Sequence, residues 1–233
     1  MTHMIELTAD DGFRFPVYQA LPAGPAKGAV VVLQEIFGVN AHIRAVADSL
    51  AAQGYLALAP STFHRVKLGV EMGYTPDDIA TGVALKAQVE GLPNPGVLRD
   101  IQATVDHAMV SVPSGKVGMV GFCWGGLLAW RAACELRRIA AVVTYYGGGM
   151  TQPAEITRMP QAPVLAHFAR QDPSISLESV EAFRLAHPEV ELYLYDASHG
   201  FNCDHRVAYN APAATLARER TLGFLNKTCC SPC

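Results

Sequence analysis

Several short stretches of this chain are apolar at nearly every position: residues 28–34, 55–59, 116–122, 139–146 and 163–168. A strand that is apolar on both faces cannot lie with one side in water. It belongs inside a sheet covered on both sides. Helical stretches separate many of these runs. Asn40 is a helix cap, followed by Ile43, Val46, Ala47 and Leu50 at helical spacing. Thr75-Pro76-Asp77-Asp78 opens a helix over 76–90, and others are predicted at 95–110, 127–137, 176–186 and 207–226, with a further strand at 190–195. This alternation predicts an α/β fold with a mostly parallel central sheet and helices on both faces. The first twenty residues differ. Asp10-Asp11-Gly12 is a turn signal between strand-like runs at 6–9 and 13–19, which predicts an antiparallel hairpin at one edge of the sheet. Residues 61–75, with Phe63, His64 and Tyr74, read as a long loop of the kind that often carries function.

Composition narrows the class. Half of the 233 residues are apolar and 17% are charged, enough for a full core. The net charge of −3 disfavours a nucleic-acid partner. No apolar run approaches the roughly 20 residues of a membrane span. The start, Met1-Thr-His-Met-Ile-Glu, lacks the basic-then-apolar order of an export signal. The expectation is a cytoplasmic protein with reduced thiols, since the six cysteines are scattered except at the end. Residues 1–227 read as one domain, and 228–233 as a flexible Cys-rich tail.

The segment richest in chemistry is Val120-Gly121-Phe122-Cys123-Trp124-Gly125-Gly126. A strand runs into Gly-x-Cys-x-Gly and then a helix, the pattern of a nucleophile elbow with Cys in place of Ser. Small residues two positions before and after the nucleophile let strand and helix pack closely around a strained turn. The thiol then projects above the sheet at a helix N-terminus, which favours its ionised form. The Trp124 N–H points at any oxyanion formed there. The plain alternative is a buried cysteine at an ordinary strand–helix junction.

A nucleophile needs a base, and the base an orienting acid, in the chain order nucleophile, acid, histidine. Of eight histidines, His199 lies in a loop after a late strand, with His205 its nearest rival. Asp172 leaves the preceding strand just before Pro173, and Asp196 is the rival acid. The second oxyanion donor is expected from the loop 34–40, with the Ile36 N–H as partner to that of Trp124. Glu35, at the end of an apolar strand and near the thiol, is the carboxylate most exposed to perturbation by burial.

At Gln34-Glu-Ile-Phe-Gly-Val-Asn40, Gly-Phe-Cys123-Trp-Gly-Gly126, Asp172 and His199-Gly-Phe-Asn202 the chain resembles the dienelactone hydrolase family of the α/β-hydrolase fold. The resemblance implies a Cys123–His199–Asp172 triad that hydrolyses a small lactone or carboxylic ester through a thioester. It implies that Glu35 helps to generate the thiolate when substrate binds, and that neither metal nor organic cofactor takes part. Phe37, Tyr145, Phe201 and Arg206 are expected to line the substrate site. Family members that act on dienelactone hold its carboxylate with two arginines. Arg206 matches one. For the other, the stretch 75–90 offers only Lys86, with Arg65 and Lys67 earlier.

Thr228-Cys229-Cys230-Ser231-Pro232-Cys233 contains a Cys-x-x-Cys spacing, but no helix follows to activate the first thiol. Two other function classes remain from the sequence: a non-catalytic small-ligand binder, and a thiol redox or metal protein centred on the tail. A monomer or weak homo-oligomer is expected, with no nucleic-acid or membrane partner.

Overall fold

The computed structural model describes residues 2–229. Eight strands form one sheet in the order β1-β2-β4-β3-β5-β6-β7-β8. These are β1 (Thr2–Thr8), β2 (Arg14–Ala20), β3 (Gly28–Leu33), β4 (Tyr55–Pro60), β5 (Val117–Phe122), β6 (Ala141–Tyr145), β7 (Val164–Ala169) and β8 (Glu191–Tyr195). From β4 to β8 every pairing is parallel, while β1 and β2 form an antiparallel hairpin, and β2 joins β4 antiparallel. The expected class and edge hairpin are both present. Every residue of β3, β4, β5, β6 and β7 is buried, as runs without alternation require. The edge strand β1 has exposed and half-buried residues only.

The helices are α1 (Ala41–Ala52), α2 (Pro76–Glu90), α3 (Leu98–Ser111), α4 (Trp124–Glu135), α5 (Pro153–Ile156), α6 (Leu177–Ala186) and α7 (Ala211–Cys229). Asn40 caps α1 by accepting from the Ile43 N–H, and Thr75 with Asp78 closes a capping box at α2. The two faces of β5 take different helices. Val120 and Phe122 face a cavity between α1 and α7, whereas Gly121 lies under α4.

Several boundaries differ from the sequence reading. Helix α4 begins at Trp124 rather than Leu127, because Gly125 and Gly126 are held helical by packing that outweighs their poor propensity. Helix α7 begins at Ala211, where Asn210 Oδ1 accepts from the Ala213 N–H and Pro212 fits the first turn. It continues through Cys229, which is fully buried; the rest of the Cys-rich tail, 230–233, lies outside the described residues. The short α5 carried no periodic signal and was not anticipated. No helix among the described residues is long and apolar enough to cross a membrane.

Candidate active site

Cys123 follows β5 and directly precedes α4, with φ 53° and ψ −117°. A residue with a Cβ avoids that region, at a cost of about 1–3 kcal/mol, so the surroundings must hold it there. They do so through the backbone. The Cys123 N–H donates to Tyr145 O at 3.0 Å, and Cys123 O accepts from the Gly126 and Gly148 N–H groups, each at 3.0 Å. A side chain on Gly121 would collide with Gly125 O, and one on Gly125 with the carbonyl oxygens of Leu33 and Gln34. The two glycines therefore let α4 press against β5 and β3 at the turn. The thiol is partly exposed, while Trp124 is 1% exposed. The indole stacks on Phe63 with ring centroids 5.0 Å apart, and its N–H donates to Glu90 at 2.8 Å. The Trp124 backbone N–H lies in the first turn of α4, where no carbonyl of the helix can reach it.

His199 and Asp172 meet as their loops predict. His199 Nδ1 lies 2.7 Å from Asp172 Oδ2. The other oxygen, Oδ1, accepts from the Ser174 and Ile175 N–H groups at 2.8 and 3.2 Å, which fixes the carboxylate. Burial alone would pull the His199 pKa down. Hydrogen bonds to Asp172 and Cys123 outweigh it and hold the imidazole up at about 10. The rival residues are engaged elsewhere: Asp196 accepts from Gln171 Nε2, and His205 lies beside Asp204 and the His42 ring.

Glu35 is buried and paired. Its Oε1 lies 3.2 Å from Arg206 Nη1, and its Oε2 accepts from the Tyr74 hydroxyl at 3.4 Å. Gly200, at φ +83°, makes room for that arginine, since a Cβ there would sit 2.5 Å from Nη1. The Arg206 guanidinium also lies 5.8 Å from the Phe37 ring. Arg65, a sequence candidate for a second substrate cation, is committed to Asp100 and Asp11 through five hydrogen bonds.

The aromatic residues expected at the substrate site divide between core and site. Tyr145 places its hydroxyl on Thr221 at 2.7 Å, inside the core beside His167. Its neighbour Tyr146 instead packs against His199, with ring centroids 5.0 Å apart and its buried hydroxyl without a hydrogen-bond partner. Phe201 is fully buried and touches both tyrosines. Tyr74, from the long loop, accepts from Asn40 Nδ2 at 3.2 Å and from Cys203 Sγ at 3.2 Å. Its presence in a loop with two other aromatics was the available signal; Cys203 and His42 offered none. Ligating atoms of Glu35, His42 and Cys203 lie within 4.8 Å of one another.

The cavity of about 230 Å³ between α1 and α7 is lined by His42, Phe122, Tyr145, Asp204 and Arg218, and by none of Cys123, Asp172 or His199.

The model of the dienelactone hydrolase family matches residues 15–229. A carboxymethylenebutenolidase from Pseudomonas sp. (strain P51) is 31% identical over 233 residues, spanning 97% of this chain and 96% of that protein. A relative from Synechocystis sp. is 36% identical over 206 residues, 82% of each chain. A crystal structure from Klebsiella pneumoniae subsp. pneumoniae superposes with a TM-score of 0.83 at 28% identity, covering 97% of this chain and 98% of that one. Family match, sheet order and the elbow agree: the chain belongs to the dienelactone hydrolase family of α/β-hydrolases, enzymes that hydrolyse lactones or esters.

Proposed function

We propose that this protein opens a small carboxylate-bearing lactone, or cleaves a related ester, with Cys123 as nucleophile, His199 as base and Asp172 as its orienting acid. The observation that carries the reading is His199, bound to Asp172 at 2.7 Å and raised in pKa by the neighbouring Cys123, a half-buried residue on a strained elbow. The Cys123 thiolate attacks the carbonyl carbon. The oxyanion takes hydrogen bonds from the backbone N–H groups of Trp124 and Ile36. As the tetrahedral intermediate collapses, the ring C–O bond breaks and the leaving oxygen takes a proton from His199. That leaves a thioester on Cys123. His199 then accepts a proton from water, which attacks the thioester and releases the acid and the thiolate.

Arg206 is the cation for the substrate carboxylate. When the ligand draws on that guanidinium, Glu35 loses its partner and becomes able to accept the Cys123 proton. The name of the Pseudomonas relative, carboxymethylenebutenolidase, fits an unsaturated lactone of this kind.

The test is hydrolysis of dienelactone and nitrophenyl esters with a mass measurement of quenched enzyme. Cys123→Ala is expected to remove turnover, by roughly 10³-fold or more, and to remove the acyl adduct. Full activity in that variant would overturn the mechanism. Glu35→Gln is expected to slow turnover in a folded protein. An unchanged rate would reduce Glu35 to a structural role.

A further inference from the structure

Glu35, His42 and Cys203 reach one point from separate parts of the chain: the loop after β3, helix α1, and the loop between His199 and α7. All three are buried. The acyl-transfer chemistry uses neither His42 nor Cys203.

His42 is the group that local packing leaves unexplained. It is 3% exposed, and its Nε2 is buried without a hydrogen-bond partner. Its Nδ1 lies 3.9 Å from Asp204 Oδ1, beyond hydrogen-bond reach. Buried imidazoles are normally satisfied, so an orphaned nitrogen on a ring that shares its surroundings with a buried thiol and a buried carboxylate points to a ligand.

We propose that Glu35, His42 and Cys203 form a binding site for a divalent cation of the zinc class, and that its occupancy switches the hydrolase off. One sulfur, one imidazole nitrogen and one carboxylate oxygen suit zinc or cobalt and disfavour magnesium and calcium, which take oxygen ligands. Tetrahedral zinc sets its ligand atoms about 3.4–3.6 Å apart, so a set within 4.8 Å closes by about 1 Å on binding. Water completes the coordination. The cavity between α1 and α7 is lined by His42 and Asp204, which places an acidic group beside the imidazole ligand. Coordination takes Glu35 from Arg206. The effect on rate therefore rests on the proposed role of Glu35; the binding does not.

The test separates the two. Cobalt is titrated into the full-length chain carrying Cys123→Ala, Cys230→Ser and Cys233→Ser, which removes the triad thiol and two tail thiols. A thiolate-to-cobalt absorption band is expected, saturating at one cobalt per chain. Cys203→Ser should abolish it, and His42→Gln should weaken binding by about tenfold or more. No band, or a band that survives Cys203→Ser, overturns the site. In the otherwise native protein, zinc should inhibit hydrolysis and a chelator should restore it. Cys203→Ser should lose the inhibition, read as the ratio of its rates with and without zinc. Equal inhibition of Cys203→Ser would place the inhibitory zinc on the triad and overturn the switch. Whether Cys123→Ala retains turnover judges the thiol mechanism separately.

Discussion

Arg206 and Glu35 form an ion pair at 3.2 Å whose carboxylate is 1% exposed. An arginine on a loop is thus held against a buried acid. Arg206→Met leaves the acid buried without its cation. The expected cost is about 3 kcal/mol in urea unfolding. The KM for a lactone bearing a carboxylate should rise on the order of tenfold, about 1.4 kcal/mol, with little change for a neutral nitrophenyl ester. Equal loss on both substrates would show that Arg206 does not read the carboxylate.

The elbow predicts opposite outcomes for two glycines. Gly125→Ala drives a methyl into the carbonyl oxygens of Leu33 and Gln34, so the variant should lose about 3 kcal/mol or more. Gly223 lies in α7 with nothing within 4 Å of an added Cβ, and Gly223→Ala should stabilise the protein by about 0.5–1 kcal/mol. Thermal melts of both variants provide the check. A neutral Gly125→Ala would mean that α4 can withdraw from β3.

His199 makes stability depend on alkaline pH. Its folded pKa of about 10 exceeds the ordinary 6.5, so its contribution is complete below pH 6.5. Between pH 6.5 and about 10 the unfolded chain releases the proton while the folded protein keeps it, and the contribution is lost across that window. Urea midpoints of the parent should fall there more steeply than those of His199→Gln. Parallel curves would refute the imidazolium's part in the fold.

Arg65 is expected to act on stability alone. It bridges Asp11 and Asp100, and the Asp100 side chain is 1% exposed. Arg65→Met should cost about 3–5 kcal/mol by stranding that carboxylate. KM for the carboxylate lactone should not move. A selective rise in KM would return Arg65 to the substrate site.

The elbow and its chain order were legible because they are local. Gly121, Cys123 and Gly125 are spaced by a turn whose sterics do not depend on the rest of the fold, and Asp172 and His199 each follow a strand of a parallel sheet. The tyrosines show where local reading stops. Tyr145 and Tyr146 are adjacent, yet one hydroxyl enters the core at Thr221 while the other ring lies on His199. Tyr146 leaves the strand with φ 38°, a departure that no period-two pattern announces.

By itself the amino-acid order determined a doubly covered parallel sheet, its antiparallel edge, and a cysteine at the junction of β5 and α4. Hydrophobic period and glycine placement act over a few residues, so they are readable in one dimension. Tertiary structure alone decided that Arg206 pairs with Glu35 while Arg65 is spent on Asp100, and that His42, Cys203 and Tyr74 gather around one carboxylate. Apart from Glu35 and His42, those pairings join residues 35 or more positions apart through part-buried contacts. Such contacts depend on how helices and loops settle on the sheet, and that choice is made by the packing of the whole core.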